Sequence, residues 1–222
     1  METQSPVIPF TADDFFALTH SNPVNVELLA RLPTLALPQC HLTAGCLFQA
    51  VWNLRAGRAA GADVKDYDVF YFDDSDLSWE AEDVVIGRVQ AATVDLGVAV
   101  EVKNQARVHR WYAERFGAAY PALRSARDGI DRYLVACTCV GIDVADGRLY
   151  APDSLQELAD GILRINPRHA LPDLFRAKAA SYRARWPWLR VIEPGAHPAK
   201  DPAAESDAQP AGLPRTTSKD RP

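Results

Sequence analysis

Residues 63–76 read DVKDYDVFYFDDSD, and within them Asp66 and Asp68 alternate with Tyr67, Val69 and Tyr71. Successive side chains of a β-strand point to opposite faces, so the two acids share one face and the three large apolar residues share the other. Two carboxylates held that close on a half-buried strand repel one another, and the arrangement is stable when a cation lies against them. Hard divalent ions such as Mg²⁺ or Mn²⁺ take oxygen ligands and keep coordination free for water and phosphate, which makes them the expected cation. The competing structural reading is that both acids cap turns or pair with arginines.

Working outward, a second acid-bearing strand is expected in GVAVEVKN, where Glu101 stands between Val100 and Val102. If the two strands are neighbours, Asp66, Asp68 and Glu101 converge on one spot. Upstream, Gly45 precedes the helical stretch from Leu47 to Arg55. A glycine there lets the backbone approach a ligand, and the exposed N–H groups of a helix start favour phosphate. Downstream, Lys103, Asn104, Arg107, His109 and Arg110 follow closely on Glu101. Read as one helix, NQARVHRWYAERFG ended by Gly117, the segment sets Asn104, Arg107 and Arg110 near one face, with donors suited to phosphate or base edges. A solvated amphipathic helix is the other reading, and His109 equally suits a hydrogen-bonded core position.

The remaining pattern describes an α/β or α+β domain, a mixed β-sheet flanked by helices. Strands are expected at YDVFYFD, GVAVEVK, CTCVGIDV and RLYAP. Helices are expected at TADDFFALTH, NVELLARL, WEAEDVVIGRVQ (capped by Asp76 or Ser78), SARDGIDRYLVA, DSLQELADGILR and LPDLFRAKAASYRARW, the last stopped by Pro187. The five tryptophans fall at core-like positions. A length of 222 residues suits one packed domain, expected over residues 11–192 after a flexible stretch 1–10. Residues 193–222 hold six of the 16 prolines and few large apolar side chains, so a disordered tail is expected there.

A net charge of −5 argues against coating nucleic acid, whose affinity comes from basic residues neutralising phosphates. No apolar run is long enough to span a bilayer, and METQSPVIPF lacks the basic and apolar regions of a signal peptide, so a cytoplasmic location is expected. Cys40, Cys46, Cys137 and Cys139 have neither disulfide-framework nor paired CxxC zinc spacing and are expected to be packing thiols.

Three segments, AGCLFQAVWN (44–53), VKDYDVFYFDDSDLSWEAED (64–83) and EVKNQARVHRWY (101–112), resemble the small bacterial nucleotidyltransferase-like family within the DNA polymerase beta-type nucleotidyltransferase superfamily. The resemblance implies transfer of a nucleotidyl group from a nucleoside triphosphate to a hydroxyl of an unknown small-molecule or protein acceptor, with Mg²⁺ or Mn²⁺ as cofactor. It implies Asp66, Asp68 and Glu101 as catalytic and metal-holding residues, and Gly45, Cys46, Lys103, Asn104, Arg107 and His109 as nucleotide-binding residues. Cys46 stands where the superfamily usually has a phosphate-contacting serine, which favours, as an alternative, an inactive nucleotide-sensing or partner-binding module. Glu101-Val102-Lys103 also matches the E-x-K spacing of one class of Mg²⁺-dependent nucleases, a reading that the net acidity does not help.

Overall fold

In the computed structural model of the chain, residues 9–116 and 120–195 are described. The expectations for residues 1–8, Gly117 and the chain beyond residue 195 lie outside the described residues. The chain begins with α1 (Ala12–Thr19) and α2 (Pro23–Arg31), then β1 (His41–Thr43), α3 (Gly45–Arg55), β2 (Asp66–Tyr71), α4 (Trp79–Thr93) and β3 (Ala99–Asn104). It continues with α5 (Val108–Phe116), α6 (Ala126–Ile130), β4 (Gly141–Asp143), β5 (Leu149–Tyr150), α7 (Leu155–Asp160), β6 (Ile162–Arg164), α8 (Pro172–Arg185) and β7 (Arg190–Ile192). Five strands form one mixed sheet in the order β3-β2-β1-β4-β5, and β6 and β7 pair separately. Helices flank the sheet, as the sequence pattern implied.

The middle strand of this sheet, like the separate pair β6 and β7, is one that the sequence pattern did not reveal. β1 is only three residues long, and it pairs antiparallel with β2 and with β4. β2 and β3 run parallel, joined through α4, whose start is capped by Ser78 accepting from the Ala81 N–H at 3.2 Å. Tyr67, Val69 and Tyr71 of β2 face inward onto a core shared with Leu47, Val51 and Trp52 of α3. Each such side chain contributes about 1.5–3 kcal/mol on full burial.

Four expected elements differ. The helix expected over SARDGIDRYLVA ends at Ile130, because the Asn166 side-chain amide donates to the carbonyls of Asp131 and Tyr133 at 2.7 Å and holds the chain in another course. CTC then lies in and beside a short 3-10 turn over Ala136–Thr138, with the strand confined to Gly141–Asp143. DSLQELADGILR splits at Gly161, which takes a left-handed φ of 68° and is pressed by Trp188 and Leu189, so the following residues become β6. NQARVHRWY is helical only from Val108: the Asn104 side chain accepts from the Asp73 and Ala106 N–H groups at 3.1 Å and turns the chain at the end of β3.

The Phe10 N–H donates to Gln156 at 2.8 Å. Trp52 and Trp186 are fully buried, whereas Trp79 is 59% exposed and does not belong to the core. All four cysteines are free and buried. Among the described residues, no helix is long and apolar enough to cross a membrane.

α8 is fastened across α3 by rings. Tyr182 meets Phe48 and Trp52 edge-on at 5.4 and 5.3 Å, and Trp186 meets Trp52 at 5.3 Å. Beneath them Asn53 accepts from the Trp186 Nε1 at 3.0 Å and donates to the Ala60 and Ala62 carbonyls at 3.1 and 2.8 Å, tying α8 to the loop that leads into β2. Asn53→Ala strands the buried Trp186 Nε1 and Ala60 carbonyl and the part-buried Ala62 carbonyl, a buried group costing about 1–3 kcal/mol when left unpaired. The expected outcome is a loss of at least about 2 kcal/mol in urea unfolding, against little change for the exposed Trp79→Ala.

Candidate active site

The parallel register of β2 and β3 sets Asp68 opposite Glu101 and Phe70 opposite Lys103, so Asp66, Asp68, Glu101 and Lys103 all lie on the face of the sheet turned away from the Tyr67 side. Lys103 Nζ lies 2.7 Å from Glu101 and 3.5 Å from Asp68. Burial is the main cause that pushes the Asp68 carboxyl up to about 6. Asp66 and Glu101 add to the rise, and Lys103 opposes it. Burial works against the Lys103 ammonium, but the two carboxylates outweigh it and leave its pKa raised.

These acids line a cavity of about 500 Å³. One wall is the start of α3, reached through Ala44, whose φ of 62° and ψ of −138° are unusual for a residue with a side chain. No side chain caps this helix, and while the Leu47 N–H donates to the Ala44 carbonyl at 3.1 Å, the Gly45 and Cys46 N–H groups at the start of α3 keep their capacity to donate. The opposite wall is α8, where Lys178, Ser181, Tyr182 and Arg185 follow at helical spacing. Arg185 donates to Gln49 at 2.8 Å and to the Asp63 carbonyl at 2.9 Å. Lys65 and Arg132 complete the cationic lining. Among the described residues, Lys65, Arg132, Lys178 and Arg185 form no salt bridge, although all four border a cavity that contains three carboxylates.

Gly45, Asp66, Asp68, Glu101 and Lys103 are thus brought together, and four other sequence candidates are placed elsewhere. Cys46 is fully buried, its thiol donates to the Thr43 carbonyl at 3.2 Å, and burial raises its pKa; it packs in the core rather than lining the cavity. Asn104 spends its side chain on the turn around Asp73. Arg107 is buried against Glu82 and donates to the Leu77 carbonyl at 3.0 Å. His109 is half-buried, with no hydrogen-bond partner for Nδ1 among the described residues, and does not border the cavity. The missed residues are Lys65, Gln49, Arg132, Lys178, Ser181 and Arg185. Only the spacing of Lys178, Ser181 and Arg185 carried a sequence signal, and it reads equally as a solvated helix face.

The donor set is of the type that suits a hard cation: three carboxylates on one wall, only one of the neighbouring lysines bonded to them, and one acid whose charged form burial disfavours until a cation compensates it. Among the described residues no three His, Cys, Asp or Glu side chains converge tightly enough to enclose an ion.

The chain matches the nucleotidyltransferase family over residues 30–191, and it belongs to that family. Its fold is similar to that of a protein whose NMR structure is described as revealing a CCA-adding enzyme head domain. That likeness has a TM-score of 0.66 at 20% identity and covers 83% of this chain and 97% of the other. No curated protein was found to match by sequence.

Two outcomes are expected. Asp68 has its folded pKa near 6 against a usual 3.8, so between those values the folded state binds more protons and stability falls as pH rises. Metal-free protein therefore loses on the order of 2 kcal/mol from pH 4 to pH 7 relative to Asp68→Asn, measured as parallel unfolding curves. Glu82→Ala leaves the Arg107 guanidinium buried and unpaired, and costs about 3–5 kcal/mol of stability in the same assay.

Proposed function

We propose that the protein is a metal-dependent nucleotidyltransferase that moves a nucleotidyl group from a nucleoside triphosphate to a hydroxyl of a small-molecule or protein acceptor. The observation that carries this reading is the division of one cavity into a carboxylate wall and a wall of cations without salt bridges. A triphosphate with a divalent ion has the matching polarity: the phosphates seek Lys65, Lys178 and Arg185, and the ion seeks Asp66, Asp68 and Glu101.

In this scheme the uncapped N–H groups at the start of α3, approached closely at Gly45, and the Ser181 hydroxyl hold the outer phosphates with the three cations. Asp66, Asp68 and Glu101 would hold Mg²⁺ or Mn²⁺, which when bound neutralises phosphate charge and acidifies the attacking hydroxyl. Glu101, half-exposed beside Lys103, takes the proton of that hydroxyl. The acceptor oxygen bonds to the α-phosphorus, the bond to the β-phosphate oxygen breaks, and pyrophosphate leaves.

The bond of Lys103 to Glu101 and Asp68 supports a second reading, a nucleotide-binding module without turnover, because the lysine already neutralises part of the acid wall. Calorimetric titration of ATP, GTP, CTP and UTP, each with and without Mg²⁺, separates the two. The transferase reading expects Mg²⁺-dependent binding that Asp68→Asn removes and Lys178→Ala weakens roughly tenfold. Binding indifferent to both Mg²⁺ and Asp68 sinks it and leaves the binding module.

A further inference from the structure

Beside the acid-lined cavity lies a smaller hollow of about 150 Å³. Lys103, Arg132 and Tyr133 border both, so the two adjoin and make a composite concavity with these three residues at the join. The chemistry changes along it. At the Asp66 end of β2, Arg185 is anchored to the Asp63 carbonyl at 2.9 Å and Lys65 precedes the first acid. Four residues further along the same strand face, roughly 13 Å away at strand rise, Phe70 borders the hollow.

The hollow is rich in π faces. The Arg132 guanidinium lies 4.8 Å from the centre of the Tyr120 ring. Tyr120 in turn stacks on Tyr112 at 4.3 Å with the planes 33° apart. Arg132 also donates to His169 Nδ1 at 3.4 Å, and burial and Arg132 both hold that imidazole towards its neutral, accepting form. An arginine clamped by a ring and a histidine, with no salt bridge among the described residues, presents a planar cation to whatever enters the concavity.

We infer that this hollow seats the base of the donor nucleotide, stacked on the ladder that Arg132, Tyr120 and Tyr112 form. The inference rests on the transferase reading above. A nucleoside triphosphate carries charge at one end and a planar ring at the other, with the α-phosphate between. The concavity carries Lys65, Lys178 and Arg185 at one end and the π faces with the Arg132 plane at the other, with the acids between. A volume of about 150 Å³ is far below that of a whole small-molecule site, so the hollow takes one group of a larger ligand. Stacking accepts any base, so the ligand class is a nucleoside triphosphate rather than one particular nucleotide.

The test compares MgATP with magnesium tripolyphosphate, which has the phosphates and no base, by calorimetry on wild type, Tyr120→Ala and Arg132→Lys. Arg132→Lys keeps the charge and removes the plane, and it serves if the half-buried Tyr120 proves necessary for folding. Wild type is expected to bind MgATP roughly tenfold or more tighter than magnesium tripolyphosphate, and either variant to erase that preference while leaving tripolyphosphate affinity in place. A preference unaltered in both variants means that the acceptor or nothing fills the hollow, and overturns the inference while the transferase reading stands. Tripolyphosphate binding to wild type with no preference for ATP overturns it likewise. Failure of both probes to bind wild type removes the transferase reading and this inference with it.

Discussion

The burial of Tyr67, Val69 and Tyr71 on one face of β2 is the constraint on which the site depends. β2 is paired on both edges, with β1 and with β3, and its apolar face closes the core over α3. A slip of one residue would carry three large side chains into water and two carboxylates into the core, so the register is strongly held. With the register held, Asp66 and Asp68 have to face the cavity, and parallel pairing brings Glu101 and Lys103 beside them. The raised pKa of Asp68 is the local electrostatic cost, and only packing elsewhere in the domain can offset it.

The second wall of the cavity has a different origin. It exists because Tyr182 and Trp186 dock on Phe48 and Trp52, and because Asn53 joins that aromatic cluster to the loop before β2. The same helix, α8, thus uses its buried side to hold the fold and its neighbouring face to place Lys178, Ser181 and Arg185 opposite the acids. The α3 start joins these walls, with Ala44 strained at the point where β1 turns into the helix. Strain of this kind persists where surrounding structure determines it, here a three-residue strand paired on both sides.

Alternation along single strands made the acids legible, because a period of two needs no knowledge of the rest of the chain. The same kind of local reading misplaced Asn104 and Arg107. Both look like one helical face, but Asn104 folds onto Asp73 and Arg107 onto Glu82, partners that lie well upstream in the chain. Cys46 follows Gly45 directly, yet its direction off the first turn of α3 sends it into the core. β1 escaped notice because three residues are too few to show a period, and the helices expected around residues 131 and 162 were cut short by Asn166 and by the close approach of Trp188 to Gly161.

The sequence by itself therefore determined the mixed helix and strand architecture, the nucleotidyltransferase family and the face on which Asp66, Asp68 and Glu101 stand. The architecture and the face follow from periodicity and the family from the resemblance of three short segments, all of them properties of neighbours along the chain. Tertiary structure alone decided which cations face those acids and that an aromatic hollow adjoins them. Arg185 reaches Gln49 across 136 residues, and Tyr120 is set beside Arg132 by packing between separate elements. Such meetings arise only when sheet register and helix docking close together, because they depend on how the core is filled rather than on any local repeat.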